Sequence, residues 1–160
     1  MTKDLITVSE YKAYAGISST TQDAIITTLI PKVSSLVKSI CRRTFVDYVD
    51  DSKVDISRGP VKNRILLTET PVLQVSTVQF SEDFGKSYVE LEEFTDYVVD
   101  TEKDAIEIIA AQYMDYNKIN AFSITYTAGY ETIPEDLNLA VMDLVSYYIR
   151  NDAAVHSKKA

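Results

Sequence analysis

The apolar residues of this chain repeat every three or four positions near both ends and alternate with polar residues in the middle. The first helical repeat is short. Thr7 and Glu10 have the spacing of a capping box, in which each side chain accepts a hydrogen bond from the other residue's backbone N–H. We therefore predict a helix over Val8–Ala15 that ends at Gly16, because glycine readily adopts the left-handed conformation of a C-terminal cap.

A second apolar series keeps helical phase for longer. Its members are Ile25, Ile26, Leu29, Ile30, Val33, Leu36, Val37 and Ile40. Ser19 and Gln22 repeat the capping-box spacing before it, and Arg42 and Arg43 follow it at the negative end of the helix dipole. Pro31 removes one backbone hydrogen bond without disturbing the apolar phase. We therefore predict a long helix that is kinked at Pro31 but not broken there.

Residues 46–120 contain short β-branched or alternating segments between turn signals, a pattern that predicts antiparallel strands. The predicted strands cover residues 45–49, 54–56, 65–67, 73–80, 88–91, 97–99 and 105–109. Turn signals such as Arg58-Gly59-Pro60 separate them. Val75 and Val78 fall on opposite faces of their strand, which predicts a β-bulge or burial on both faces.

The last third predicts a strand, a turn and a helix. Apolar and polar residues alternate over residues 122–127, so one face should be buried and the other solvated. Gly129 permits the positive φ of a turn. Pro134 suits the first helical position, Glu135 and Asp136 follow at the positive end of the helix dipole, and an apolar stripe from Leu137 predicts that the helix continues to Arg150.

These elements predict an α+β fold in which helices from both ends pack together and an antiparallel β element is inserted between them. We expect residues 1–150 to form a single domain. Residues 151–160 are small and polar, and we expect them to form a tail that is flexible or ordered by a partner.

The negative charge is concentrated in the middle of the chain. Residues 47–107 hold fifteen acids and six bases, whereas the rest holds nine acids and ten bases. Non-specific binding to a nucleic-acid backbone requires cations, so this surface is either simply solvated or one past which DNA slides without binding. No run of eighteen apolar residues and no signal-peptide core are found, so we expect no membrane span.

Few side chains are suited to catalysis. The single histidine, His156, lies four residues from the end, where a preorganised site is difficult to build. The single cysteine, Cys41, is expected to be a small buried apolar residue at a helix end. The four glycines are scattered singly, so no phosphate-binding loop is present. We expect no cofactor.

The carboxylates of aspartate and glutamate are the remaining side chains that could take part in catalysis or metal binding. Four aspartates lie close together, namely Asp47, Asp50, Asp51 and Asp55. Their spacing does not fit an EF-hand, so we expect a charged hairpin face and no metal site. The acids between residues 90 and 96 leave open a general acid–base pair of the kind that glycosidases use.

Several motifs follow one another in order along the chain. Gly16-Ile17 separates the predicted helices, and Arg43-Thr44-Phe45 follows the second. Tyr-x-Ala-Gly-Tyr begins at Tyr126, Pro-Glu-Asp-Leu at Pro134, and Ala-Val-x-Asp-Leu-Val-x-Tyr-Tyr at Ala140. This series resembles the head–tail connector, or head-completion adaptor, proteins of tailed bacteriophages and gene transfer agents. Arg42 stands where that family usually has glycine.

The resemblance implies a structural protein of the virion, not an enzyme. Members of the family form a homo-oligomeric ring, commonly a dodecamer, beneath the portal protein. The ring extends the DNA channel, through which DNA passes without specific binding, and docks the next neck or tail-completion protein. The chain would be made in the host cytoplasm and assembled at the head–tail interface, away from any membrane.

The resemblance also indicates where contacts should lie. The C-terminal helix and tail should face the portal, with contacts from Tyr147, Arg150, Asn151, His156, Lys158 and Lys159. Acidic residues of the middle segment should line the channel or contact a neighbouring subunit, namely Glu90, Glu92, Glu93, Asp96, Glu102 and Asp104. The alternatives are another neck component, such as a stopper or tail-completion protein, an adaptor of prophage origin with a new partner, or a carboxylate-dependent hydrolase.

Overall fold

The computed structural model describes residues 3–115 and 117–157, with side chains as far as residue 150. The chain divides into two compact units. The helical unit comprises residues 1–44 and 132–160, and the β unit comprises residues 45–131. Helices from both ends share one unit and antiparallel sheets form the other, which confirms the predicted α+β fold.

The helical unit contains α1 (Val8–Ala15), α2 (Asp23–Cys41) and α3 (Glu135–Ser157). The capping box of α1 is confirmed. The Thr7 backbone N–H donates to Glu10 Oε2 at 2.6 Å, and the Glu10 backbone N–H donates to Thr7 Oγ1 at 3.2 Å. Gly16 ends α1 with φ +66°, in the left-handed conformation expected of a C-terminal cap.

The predicted capping box of α2 is wrong. The helix begins at Asp23 after Gln22, whose side chain makes no capping hydrogen bond. Ser19 Oγ instead accepts from the backbone N–H of Thr21 at 3.1 Å, so its capping capacity is used within the preceding loop. α2 continues without a break through Pro31 and ends at Arg42, which is left-handed with φ 53°. The predicted end of this helix at Arg42 is confirmed.

The core of the helical unit lies where α2 packs against α3. Its buried apolar side chains are Ile26, Ile30 and Val33 of α2 with Val141 and Val145 of α3. Ser34 is also buried, and its Oγ accepts from the backbone N–H of Leu5 at 3.0 Å. The Tyr11 hydroxyl of α1 lies 3.1 Å from Ser146 Oγ of α3. Helices from opposite ends of the chain thus share one core, as predicted.

By length and composition alone, α2 is apolar enough to cross a membrane, with a mean hydropathy of 1.4 over its most apolar window. The core helices of soluble proteins pass the same test, and α2 contributes three of the buried core side chains. The expectation that the chain does not span a membrane therefore stays a prediction.

The β unit contains seven strands: β1 (Lys53–Ser57), β2 (Arg64–Leu66), β3 (Val72–Phe80), β4 (Val89–Glu90), β5 (Tyr97–Asp100), β6 (Ala105–Ile108) and β7 (Phe122–Ala128). They form an antiparallel sheet in the order β1-β7-β3-β4 and another in the order β2-β6-β5. A short 3₁₀ turn, Ala111–Tyr113, precedes β7.

One hydrophobic core joins the two sheets. Phe122, Ile124 and Tyr126 of β7 are fully buried in it, beside Ile106 and Ile108 of β6. The register between β3 and β7 shifts near the middle of β3, which confirms the predicted irregularity there. The prediction that the opposite face of β7 is fully solvated is wrong at Ser123, which is 7% exposed. β7 is a central strand, so neighbours on both sides cover it.

Residues 45–49 do not form the predicted strand. Phe45 has φ +65°, which breaks an extended run, and the segment turns beside the end of β7. The Phe45 carbonyl accepts from the Tyr130 N–H at 2.7 Å, and the Tyr48 carbonyl accepts from the Ala128 N–H at 3.0 Å. Gly129 lies between these bonds with φ +117°, as its turn role predicts.

α3 begins at Glu135, and the carbonyl of Pro134 accepts from the Asn138 N–H at 2.9 Å. Pro134 therefore directly precedes the helix, one residue before the first helical position that was predicted for it. The helix is also longer than predicted, because its backbone continues to Ser157. Whether the segment after residue 150 is free or ordered by a partner stays a prediction.

Candidate docking surfaces

A metal site requires several histidine, cysteine or acidic side chains close together. Among the described residues, no group of three histidine, cysteine or acidic side chains could hold a metal ion. The four neighbouring aspartates differ in exposure. Asp50 and Asp51 are exposed, whereas Asp47 is buried and Asp55 is half-buried. The expected charged hairpin face is therefore wrong for Asp47 and Asp55.

Asp55 is the centre of a structural network. Its Oδ2 accepts from the Tyr126 hydroxyl at 2.7 Å and from the Thr68 backbone N–H at 2.9 Å, while Lys53 Nζ lies 3.5 Å from Oδ1. Burial opposes ionisation of Asp55, but these hydrogen bonds and Lys53 outweigh it and lower its pKa. The same burial, together with the Asp55 charge, raises the pKa of Tyr126 to about 12.

This network joins β1, β7 and the segment before β3. The Tyr126 hydroxyl also accepts from the Glu69 backbone N–H at 3.0 Å, so its donor and acceptor capacity are both used. The sequence pattern placed Tyr126 correctly in the core but did not indicate that its hydroxyl would reach Asp55. The alternation of residues in a strand predicts which side chains are buried, not which polar atoms meet.

The predicted channel or subunit-contact acids fall into two groups. Glu90, Glu92, Glu93 and Glu102 are exposed. Asp96 and Asp104 are partly buried and accept backbone hydrogen bonds: Asp96 Oδ2 from the Glu92 N–H at 3.0 Å, and Asp104 Oδ1 from the Val72 N–H at 2.7 Å. The structure thus gives these two aspartates local structural roles, and the channel or subunit role of all six stays a prediction.

None of these six acids lines the groove between α1 and α3, the groove beside β1 and β2 or the small groove on α2. A glycosidase-type pair requires two carboxyl groups that flank a bound substrate. An acid–base pair among Glu90, Glu92, Glu93 and Asp96 therefore stays a hypothesis that none of these three grooves supports.

The predicted portal contacts that the structure describes lie beside a groove in the helical unit. This groove, of about 770 Å³, is lined by α1 and the segment after it and by α3, including Tyr11, Tyr14, Asp143, Tyr147 and Arg150. Tyr147 is 59% exposed. The Tyr14 hydroxyl donates to Asp143 Oδ1 at 2.5 Å, and this hydrogen bond raises the pKa of Tyr14. The side chains of Asn151 and His156, and all of Lys158 and Lys159, lie outside the described residues.

One side of α2 is an exposed apolar surface formed by part of the apolar series that predicted this helix. Ile25, Leu36 and Ile40 are 51%, 36% and 72% exposed. At 100° per residue they lie next to the buried arc of Ile26, Ile30 and Val33 and extend it. Cys41 at the end of α2 is also exposed, so its predicted burial is wrong. Hydrophobic periodicity gives the width of an apolar face, but not how much of it the same chain covers.

The described residues include exposed apolar and aromatic surfaces, which are typical of proteins that act through contacts with other proteins. The family model of the head completion proteins matches residues 4–160, so the chain belongs to the head completion protein family. It is a structural protein of the phage virion, in the neck at the head–tail interface, as the motifs had indicated.

A solved structure shows the same fold. A chain described as "Neck of empty GTA particle computed with C6 symmetry", from a gene transfer agent, is 16% identical and superimposes with a TM-score of 0.65, covering 91% of this chain and 78% of that one. No curated protein matches this chain.

Proposed function

We propose that this protein assembles into a ring beneath the portal, extends the DNA channel and docks the next neck or tail-completion protein. Membership of the head completion family over residues 4–160 carries the proposal. The related fold in a gene transfer agent neck, computed with C6 symmetry, supports a cyclic arrangement. We expect twelve copies, the number common in the connector proteins that the sequence resembles, and no catalytic role.

The groove between α1 and α3 is the proposed portal-facing surface. It combines exposed tyrosine rings with Arg150, and tyrosine and arginine are the residue types enriched where protein interfaces are strongest. The segment after Arg150 carries two further lysines, Lys158 and Lys159, which would extend this surface. The exposed acids of the β unit would keep DNA from adhering if they line the channel, because like charges repel.

Imaging the protein mixed with its portal tests the proposal. We expect ring-shaped density at the narrow end of the portal, and we expect the double change Tyr147→Ala and Arg150→Ala to weaken its binding. Ser52→Ala, an exposed change in the β unit outside every proposed contact, is the control for a general loss of solubility or fold. If the wild-type protein stays unassociated with the portal at micromolar concentrations, the proposed function is wrong.

A stopper or tail-completion protein would bind below such a ring and not to the portal itself. The same images distinguish these roles, because a stopper would bind only after a separate ring protein had been added. Binding that requires another protein would therefore replace the adaptor role with a later place in the neck.

A further inference from the structure

Two exposed surfaces of this chain complement each other in charge and in apolar character. One is the Phe94 turn, residues 92–96, between β4 and β5 of the β unit. The other is the α2 groove in the helical unit, lined by Leu29, Lys32, Val33, Leu36 and Tyr148. A heterologous ring requires two different surfaces of one subunit that match each other.

The Phe94 turn presents an aromatic ring on a fixed backbone. Phe94 is 77% exposed and has φ +65°, an uncommon conformation for a bulky residue. The Phe94 N–H donates to the Tyr97 carbonyl at 2.7 Å, and the Asp96 N–H donates to the Glu92 carbonyl at 2.8 Å. Because the turn is already held by these bonds, docking Phe94 would cost little further ordering of its backbone.

The α2 groove is a small, mainly apolar depression of about 200 Å³. Leu29, Val33 and Leu36 of α2 and Tyr148 of α3 supply its apolar lining. Lys32, which is exposed, is the one charged residue of the lining. The groove can therefore accept one apolar side chain that carries an acidic neighbour.

Charge favours the pairing of these two surfaces. Between Glu90 and Asp96 the sequence holds four acids and no base, and Glu92 and Glu93 directly precede Phe94. Residues 23–43, which are α2 and its C-terminal cap, hold four bases and one acid. Complementary charges of this kind steer association and fix the register of an interface.

We propose that Phe94 of one copy enters the α2 groove of the next copy in the ring, with Glu92 and Glu93 facing Lys32. The inference rests on the ring of the proposed function and names the surfaces that close it. Because the two surfaces differ, each copy would offer the Phe94 turn to one neighbour and the α2 groove to the other, which is the head-to-tail arrangement that closes into a ring.

Ring formation on the portal tests the contact. We expect Phe94→Ala to weaken ring formation about tenfold or more, as is typical of a buried aromatic anchor. Phe84→Ala is the matched control, because Phe84 is also exposed, at 60%, and also has a positive φ, of 64°. Equal assembly of the Phe94→Ala variant and the wild type would overturn the inference and leave the ring itself intact.

Charge reversal tests the partner of the turn. We expect Glu93→Lys and Lys32→Glu each to weaken assembly, and the double variant to recover most of it. All the altered residues are exposed, so circular dichroism and thermal melting should show unchanged folding of each isolated variant. Failure of the double variant to recover would contradict the proposed pairing.

Cross-linking identifies the contact directly. In a Cys41→Ala background, we expect Leu36→Cys combined with Phe94→Cys to give a ladder of disulfide-linked copies only when the portal is present. Leu36→Cys combined with Phe84→Cys should give no ladder. Rings that form normally without the Leu36–Phe94 cross-link would overturn the inference, whereas a wild-type chain that never forms rings would overturn the proposed function.

Discussion

Gly129→Ala should strongly destabilise the β unit. Gly129 has φ +117°, and alanine in so sparsely populated a conformation costs about 1–3 kcal/mol. A Cβ atom there would also lie 2.4 Å from the Phe45 carbonyl oxygen, so the backbone must move. That movement would weaken the Tyr130–Phe45 bond of 2.7 Å and the Gly129–Pro71 bond of 2.8 Å, about 1 kcal/mol each. We expect a total loss of about 3–5 kcal/mol.

Gly85→Ala is the control within the same unit. Gly85 has φ +91°, but its nearest neighbours are side-chain atoms, the Tyr88 hydroxyl at 3.0 Å and Asn120 Cβ at 3.1 Å. We expect mainly the torsional cost there, about 1–3 kcal/mol. Urea unfolding followed by tyrosine fluorescence suits this chain, which has eleven tyrosines and no tryptophan. Equal losses in the two variants would refute the argument that contact with the Phe45 carbonyl adds to the torsional cost at Gly129.

Three further predictions concern the network, the free thiol and a loop. The folded-state pKa of Asp55 is lowered, so its contribution to stability should be lost as pH falls below about 3.8. The pKa of Tyr126 is raised, so its contribution should be lost as pH rises from 10 towards 12. In pH-dependent melting, Tyr126→Phe should reduce the alkaline loss and cost about 1–3 kcal/mol at neutral pH, and the remaining loss should come from Tyr14 and Tyr97, whose pKa values are also raised. Cys41 should react with a thiol reagent in the folded protein at nearly the rate of the unfolded chain, and strong protection would contradict its exposure. Asp83→Ala should speed hydrogen exchange at the Lys86 and Ser87 amides, which donate to Asp83 Oδ1 at 3.0 and 2.8 Å, and unchanged exchange would show that these bonds do not hold the loop.

The sequence was most informative where local rules decide the structure. The capping box at Thr7 and Glu10 depends on residues three apart, and the structure has it as predicted. The positive φ of Gly129 and the strand of residues 122–127 depend on the same short range. Such features need no knowledge of distant parts of the chain.

Predictions failed where residues far apart in sequence decide the structure. Residues 45–49 have the composition of a strand, but their carbonyls bond the end of β7, more than seventy residues away. Asp55 looked like a surface aspartate until Tyr126 and Thr68 were brought beside it. The exposure of Ile25, Leu36 and Ile40 in α2 was not predictable for the same reason. A helical repeat does not show which part of its apolar arc another element covers.

The exposure along α2 itself argues for assembly. Leaving apolar side chains in water forgoes about 25 cal/mol for each Å² that could be buried. α2 keeps Ile25, Leu36 and Ile40 exposed although polar residues at those positions would preserve its packing against α3 through Ile26, Ile30 and Val33. The stability of the helical unit does not require those outer residues to be apolar. We therefore expect a neighbouring protein in the virion neck to cover these residues. Contact within an assembly would account for the wide apolar arc of α2, which packing against α3 does not require.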